Sequence, residues 1–160
     1  MSSLRSGNGA ARLLMAALLM CVLGGCALPP YNPPPPGILV APPAIQPSEP
    51  FATLYVFRDG SFAGAVNHRW VSLNSEVVGT LMTNERIELR LRPGHHEIAV
   101  HCFAWGKWRE QSKTIEATAD QSYFFLLSAS LSESVRMDEL SAGQAEEWIQ
   151  KTKRVAVGPR

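Results

Sequence analysis

The chain has little surplus charge, few cysteines and almost no proline outside one stretch. Its 15 basic and 14 acidic residues leave a net charge of +1. That excludes a polycationic nucleic-acid binder and, equally, an acidic tail protein. There is no C-x-x-C, no H-E-x-x-H and no phosphate loop ending in Lys-Ser/Thr. No catalytic residue, cofactor or metal is therefore expected as the first reading, and the chain is expected not to be an enzyme. Apolar runs are short: Leu13 to Leu23 spans eleven residues, less than a bilayer requires. Of the 12 prolines, ten lie between Pro29 and Pro50. About 110 residues follow that stretch, enough for one modest core.

What is present begins with an address. Residues 1–25 have the three parts of a secretory signal: basic Arg5 and Arg12, the apolar run, then small Gly24 and Gly25. Leu23-Gly24-Gly25-Cys26 resembles the lipobox of bacterial lipoproteins, in which cleavage between Gly25 and Cys26 leaves an acylated cysteine. Several acyl chains, at about 0.8 kcal/mol per buried methylene, anchor a protein almost irreversibly. Ala27 in place of aspartate resembles the default sorting to the outer membrane, with the domain on the periplasmic face. Cys21 leaves with the signal and Cys26 carries lipid, so Cys102 stands alone and no intramolecular disulfide is expected.

Residues 26–50 read as a tether. Proline lacks an N–H and restricts the residue before it, so Pro29-Pro30 and Pro33 to Pro36 exclude helix and central strand. Polyproline II at about 3.1 Å per residue would let the segment reach roughly 70 Å. A passive disordered spacer or a docking ligand for an aromatic groove both fit this composition.

Residues 51–140 read as strands. Thr53 to Arg58 alternates Leu54 and Val56 against Tyr55 and Phe57. Trp70 to Leu73 follows, then an Asn74-Ser75 turn into Val77-Val78-Gly79. Arg86 to Arg92 sets Ile87, Leu89 and Leu91 on one face and Arg86, Glu88, Arg90 and Arg92 toward water. Pro93-Gly94 turns into Glu97 to Phe103, with Ile98, Val100 and Cys102 on one face. Lys113 to Ala117, Tyr123 to Leu131 and Val135 to Leu140 complete the set. Tyr123 to Leu131 is apolar on both faces and is expected to be a central, doubly covered strand. Residues 141–153 read as a helix: Ser141 and Gln144 suit a capping box, and Ala145, Trp148, Ile149 and Thr152 share one face. Residues 154–160 are a tail. The expected fold is mostly β, a small antiparallel β-sandwich with one C-terminal helix, preceded by a signal peptide and a proline-rich linker.

The order of these pieces resembles a bacterial lipoprotein family called domain of unknown function 2846. The likeness rests on Thr53-Leu54-Tyr55-Val56-Phe57-Arg58, Gly60-Ser61-Phe62-Ala63-Gly64, Val71-Ser72-Leu73-Asn74 and Leu91-Arg92-Pro93-Gly94-His95-His96. The Pro-Gly-x-His turn is similar to that of PEGA-type β-domains. Asn74-Ser75 departs from the Asn-Gly or Asp-Gly usual there, which questions the tightness of that turn. The resemblance implies a small envelope β-sandwich and transfers no catalytic residue.

Two clusters remain. His95, His96, His101 and Cys102 have the donor types of a metal or enzymatic site, although strand alternation separates His96 and Cys102 from His95 and His101. The second is aromatic and basic: His101, Phe103, Trp105, Lys107, Trp108 and Arg109. A Gly106-Lys107 turn would set Trp105 opposite Trp108 on the face away from the core. Two arrangements would bury that patch: a bulge after Cys102, or the C-terminal helix lying over it. If open, it would stack sugar rings or grip a protein. The expected function is a membrane-anchored, noncatalytic binding module for an envelope protein or peptidoglycan. A metal-binding or enzymatic domain on the histidine cluster, and a structural accessory subunit, are the alternatives.

Overall fold

The computed structural model describes residues 37–61, 67–104, 107–129 and 135–158. The signal sequence, Cys26, the tether up to Pro36, Trp105, Gly106, most of the Gly60–Gly64 loop and Leu131 lie outside them. The described residues all belong to one unit, Asn32–Arg160.

The expected mostly β fold is present. Eight strands follow one another before a single helix: β1 (Ala52–Arg58), β2 (Arg69–Leu73), β3 (Glu76–Leu81), β4 (Glu85–Leu91), β5 (Gly94–Ala104), β6 (Lys107–Ala117), β7 (Ser122–Ser128) and β8 (Arg136–Glu139). Then come α1 (Ala142–Lys151) and a two-residue strand, β9 (Lys153–Arg154). One sheet has the order β8-β7-β1-β4-β9 and the other β3-β2-β5-β6. The expected antiparallel pairing is corrected at two places: β1 runs parallel to β7, and β4 parallel to β9. A parallel neighbour explains the apolar residues on both faces of β7, since parallel strands are typically covered on both sides.

The core forms where the alternating inner rows of the two sheets meet. Leu54, Val56, Ile87, Leu89, Leu91, Phe125 and Leu127 face Val71, Ile98, Val100 and Cys102 in one buried cluster. Fully burying each such aliphatic or aromatic side chain contributes about 1.5–3 kcal/mol. The sheets approach closely at β3 and β4, where a Cβ on Gly79 would lie 2.7 Å from Ile87 Cδ1. Between β6 and β7 the chain changes sheets, and the Tyr123 hydroxyl pins the crossing. It accepts from Thr118 N (3.1 Å) and donates to the Glu116 carbonyl (2.7 Å).

The five-stranded sheet has a second apolar layer on its outer face. Phe57 is fully buried yet lies outside the inter-sheet cluster. Beside it Tyr55 stacks on Phe124 at 5.2 Å. Helix α1 packs over β7 and buries Ala145, with Trp148 and Ile149 half-buried, as the periodicity indicates. Its start is the expected capping box: Ser141 Oγ accepts from Gln144 N, and Gln144 Oε1 accepts from Ser141 N at 2.9 Å. Its end is held from the sheet. Arg86, expected to face water, instead donates to the carbonyls of Ile149 (3.0 Å) and Thr152, while its Nε pairs with Glu88 at 2.9 Å. The last carbonyls of a helix need donors, and a guanidinium supplies several from one side chain.

Both flanks of the strand region also join the fold. β9 joins Lys153, expected to end the helix, to Arg154, the first residue of the expected tail, and Val155 after it enters the core cluster. Gly158 N donates to the Val78 carbonyl at 2.8 Å. From the other side, Val40 N donates to the Val77 carbonyl at 2.8 Å, and Leu39 bridges to Val77. A β-bulge where Val71 gives way to Ser72 shifts the β2–β3 register and lets Val77 and Val78 both be buried.

The Asn74-Ser75 turn is tight despite lacking glycine. Leu73 pairs with Glu76, and the two loop residues have φ of 50° and 68°, the positive pair of a type I′ turn. Asn74 tolerates this conformation and also ties the turn to β5, accepting from Glu97 N at 3.0 Å. Ser75 has the strain without that compensation. Ser75→Gly is therefore expected to raise unfolding stability by about 0.5–1 kcal/mol, the left-handed cost relieved less the added entropy of the unfolded chain. Urea titration with an unchanged slope checks it; an unaltered midpoint would contradict it. Arg86→Ala is expected to cost about 1–3 kcal/mol, because two helix-end carbonyls lose their donor. Amide exchange should rise first across α1 and β9. Loss spread evenly over both sheets would mean Arg86 is not the clamp.

Candidate functional site

The expected aromatic patch lies on the outer face of the four-stranded sheet, with one change of register. β5 and β6 pair without interruption from Gly94–Ala117 to Ala104–Lys107, so Phe103 stands opposite Trp108. The expected pairing of Trp105 with Trp108 is corrected, and Trp105 itself lies outside the described residues. The tip lies one residue earlier than a Gly106-Lys107 turn would put it: β5 ends at Ala104, and Lys107 opposite it is a paired strand residue. No bulge follows Cys102, and α1 packs on the other sheet. Neither arrangement that would have buried the patch occurs.

The neighbouring strand widens it. β2 pairs with β5 so that Trp70 lies opposite His101. The Phe103 and Trp108 rings meet edge to face at 5.7 Å, and His68 lies 6.2 Å from Trp70. His68, Trp70, His101, Phe103 and Trp108 thus form a stripe across β2, β5 and β6. All are half-buried except Trp108, which is 37% exposed. His101 is held in place: its Nε2 is 2.9 Å from Ser72 Oγ and its Nδ1 3.5 Å from Glu110. Trp70 and His68 were not identified as site residues from sequence. Alternation alone puts Trp70 opposite Val71, but only the β2–β5 pairing brings it beside His101.

Lys107 and Arg109 were expected beside the aromatic rings. Alternation along β6 instead sets them on the side of Cys102, with Arg109 directly across from Cys102. Below the stripe, on the inner side, lie two buried guanidiniums. Arg58 and Arg69 are 3% and 4% exposed. Arg58 donates to the carbonyls of Asn67 (2.6 Å) and Leu81 (2.8 Å). Burial, then the neighbouring Arg69, pushes its pKa down to about 10. These bonds tie the ends of β1 and β3 to the segment that enters β2.

The histidine and cysteine cluster does not assemble. His95 is exposed and pairs with Glu116; His101 is engaged with Ser72 and Glu110. His96 sits at the Pro93-Gly94 turn, where Gly94 has φ of 128° and admits only glycine comfortably. There its Nε2 is 2.8 Å from the Arg92 carbonyl and its Nδ1 3.1 Å from Asn74 Nδ2. The carbonyl can only accept, so Nε2 carries the proton and Nδ1 accepts. Cys102 is fully buried in the core. Among the described residues no three His, Cys, Asp or Glu side chains are grouped to hold a metal ion.

A comparison with protein-family models returns no match, and a comparison with curated proteins returns none either.

Burial pushes the Cys102 thiol up from its ordinary pKa, although Arg69, Arg58 and Arg109 pull the other way. A raised folded pKa stabilises the fold below the ordinary thiol value and is lost as pH climbs toward the folded value. In a chain carrying Cys21→Ala and Cys26→Ala, Cys102 is expected to resist a soluble aryl disulfide at pH about 8 and to react fully once denaturant is added. Prompt stoichiometric reaction of the folded protein would show an accessible thiol.

Proposed function

We propose that this chain is a bacterial envelope lipoprotein related to domain of unknown function 2846. It is anchored through acylated Cys26 at the periplasmic face of the outer membrane, and its domain is a noncatalytic binding module for an envelope protein or peptidoglycan. The anchor rests on Arg5, Arg12, the eleven-residue apolar run and Leu23-Gly24-Gly25-Cys26. The proline-rich residues ahead of Leu39, which itself bridges to Val77, then serve as the spacer that lets the domain reach away from the membrane.

The observation that carries the binding reading is the aromatic stripe on the sheet face that α1 leaves open. Trp108, 37% exposed, is braced by Phe103 and continued by His101 and Trp70. Rigid rings held edge to face on a sheet lose little entropy on binding and offer wide apolar faces. Sugar rings stack on such faces, and a protein partner would bury them as anchors. His101 and Glu110 supply polar groups at the same level.

In-cell crosslinking of the full chain, followed by capture and mass spectrometry, tests both halves. Cys26→Ala is expected to abolish palmitate labelling and membrane sedimentation. A Trp105→Ala/Trp108→Ala chain is expected to keep its label and its fold while crosslinking falls about tenfold or more. Sedimentation with purified peptidoglycan, done in parallel, separates the glycan partner from a protein one. Undiminished capture of both by the double variant would remove the stripe from the binding surface.

A further inference from the structure

The outer face of the five-stranded sheet holds a second groove, away from the aromatic stripe. Register builds it. β1 and β4 pair so that Thr53 lies opposite Arg90 and Tyr55 opposite Glu88. β9 brings Arg154 beside Arg86, and Arg154 Nε lies 3.0 Å from Glu88. Phe51, just before β1, underlies Arg90, whose guanidinium carbon stands 4.5 Å from the ring centroid. Phe51, Thr53, Tyr55, Glu88, Arg90 and Arg154 line a cavity of about 230 Å³.

The charge in this groove does not balance. Glu88 is shared by Arg86 and Arg154, at 2.9 and 3.0 Å. Arg90 is exposed, rests on an aromatic face, and forms no ion pair among the described residues. Arg90 and Arg154 thus line the groove with one carboxylate, Glu88, which Arg86 also shares. Stacking on Phe51 holds the Arg90 fork in place before any ligand arrives, so less freedom is lost when it binds. Guanidinium forks match the two oxygens of a carboxylate or phosphate, and the Thr53 and Tyr55 hydroxyls stand on the same wall. The cavity is smaller than the roughly 300–1,000 Å³ of sites for whole drug-sized molecules. It suits a charged group on a larger ligand.

We propose that this groove between β1, β4 and β9 is an oxyanion-binding site, with Arg90 as its principal contact, Arg154 as the second, and a carboxylate or phosphate group as its ligand. The site is independent of the aromatic stripe, since it lies on the other sheet.

The test uses the full-length chain in detergent, with the arginine Nε–Hε resonances followed by NMR. Inorganic phosphate and acetate are titrated separately at constant ionic strength, against chloride. Saturable shifts of Arg90 and Arg154 with either anion are expected. Response to phosphate alone assigns a phosphate-bearing ligand; response to acetate alone assigns a carboxylate. Arg90→Ala, at an exposed position, is expected to weaken binding about tenfold or more, and Arg90→Lys to fall between, because charge stays and the fork goes. Arg92→Ala, just past the end of the same strand but paired with Glu49 at 3.1 Å, should bind as the parent does. Shifts that never saturate, that chloride reproduces, or that survive Arg90→Ala unchanged would overturn the site.

Discussion

Strand β1 is apolar on both faces, and the rest of the fold answers that constraint. Its inner residues, Leu54 and Val56, require a second sheet, which β3-β2-β5-β6 provides. Its outer residues, Tyr55 and Phe57, require a cover as well. Phe57 is fully buried on that outer face, and α1 packs over the neighbouring β7. Once the helix lies on the sheet, its C-terminal carbonyls come down beside β4. Arg86 meets them there, and Glu88 meets Arg86 in turn. The chain leaving the helix then has one short path, parallel to β4 as β9 and on to Val78.

The two outer faces end up chemically different. The five-stranded sheet carries a helix, an ion-pair network and a basic groove. The four-stranded sheet carries no helix among the described residues and shows an aromatic stripe. Under that stripe Arg58 and Arg69 are buried, and Arg58 spends its donors on backbone carbonyls at strand ends. Buried guanidiniums are costly unless hydrogen-bonded, so these bonds hold the strand ends in one arrangement. The rings of Trp70, Phe103 and Trp108 are presented by a braced surface.

Much of this was legible in the residues. The alternation of Ile87, Leu89 and Leu91 marks β4 because burying one face requires period two. Ser141 and Gln144 mark the helix start because two orphan donors need two acceptors. Less was legible where distant parts decide. Residues 153–154 carry no strand signal of their own; β4 makes them a strand by offering a free edge. Arg86 looks solvent-bound by alternation, yet a helix 63 residues on claims its donors. At the β5–β6 tip, glycine suggested one turn position, but continuous pairing from Gly94 onward puts Lys107 opposite Ala104. His95, His96, His101 and Cys102 are neighbours in sequence and not in space, because alternation and separate partners disperse them.

By itself the sequence determined that the segments around β1, β4 and β7 are extended, which side of β4 is apolar, and where the helix begins. Those properties follow from backbone sterics and side-chain spacing over a few residues. The tertiary structure alone decided that β1 and β7 run parallel, that Trp70 joins Phe103 and Trp108, and that Arg90 has no carboxylate partner among the described residues. Strand order and register follow from the burial of both faces at once across the whole chain, and no short stretch of residues contains that condition.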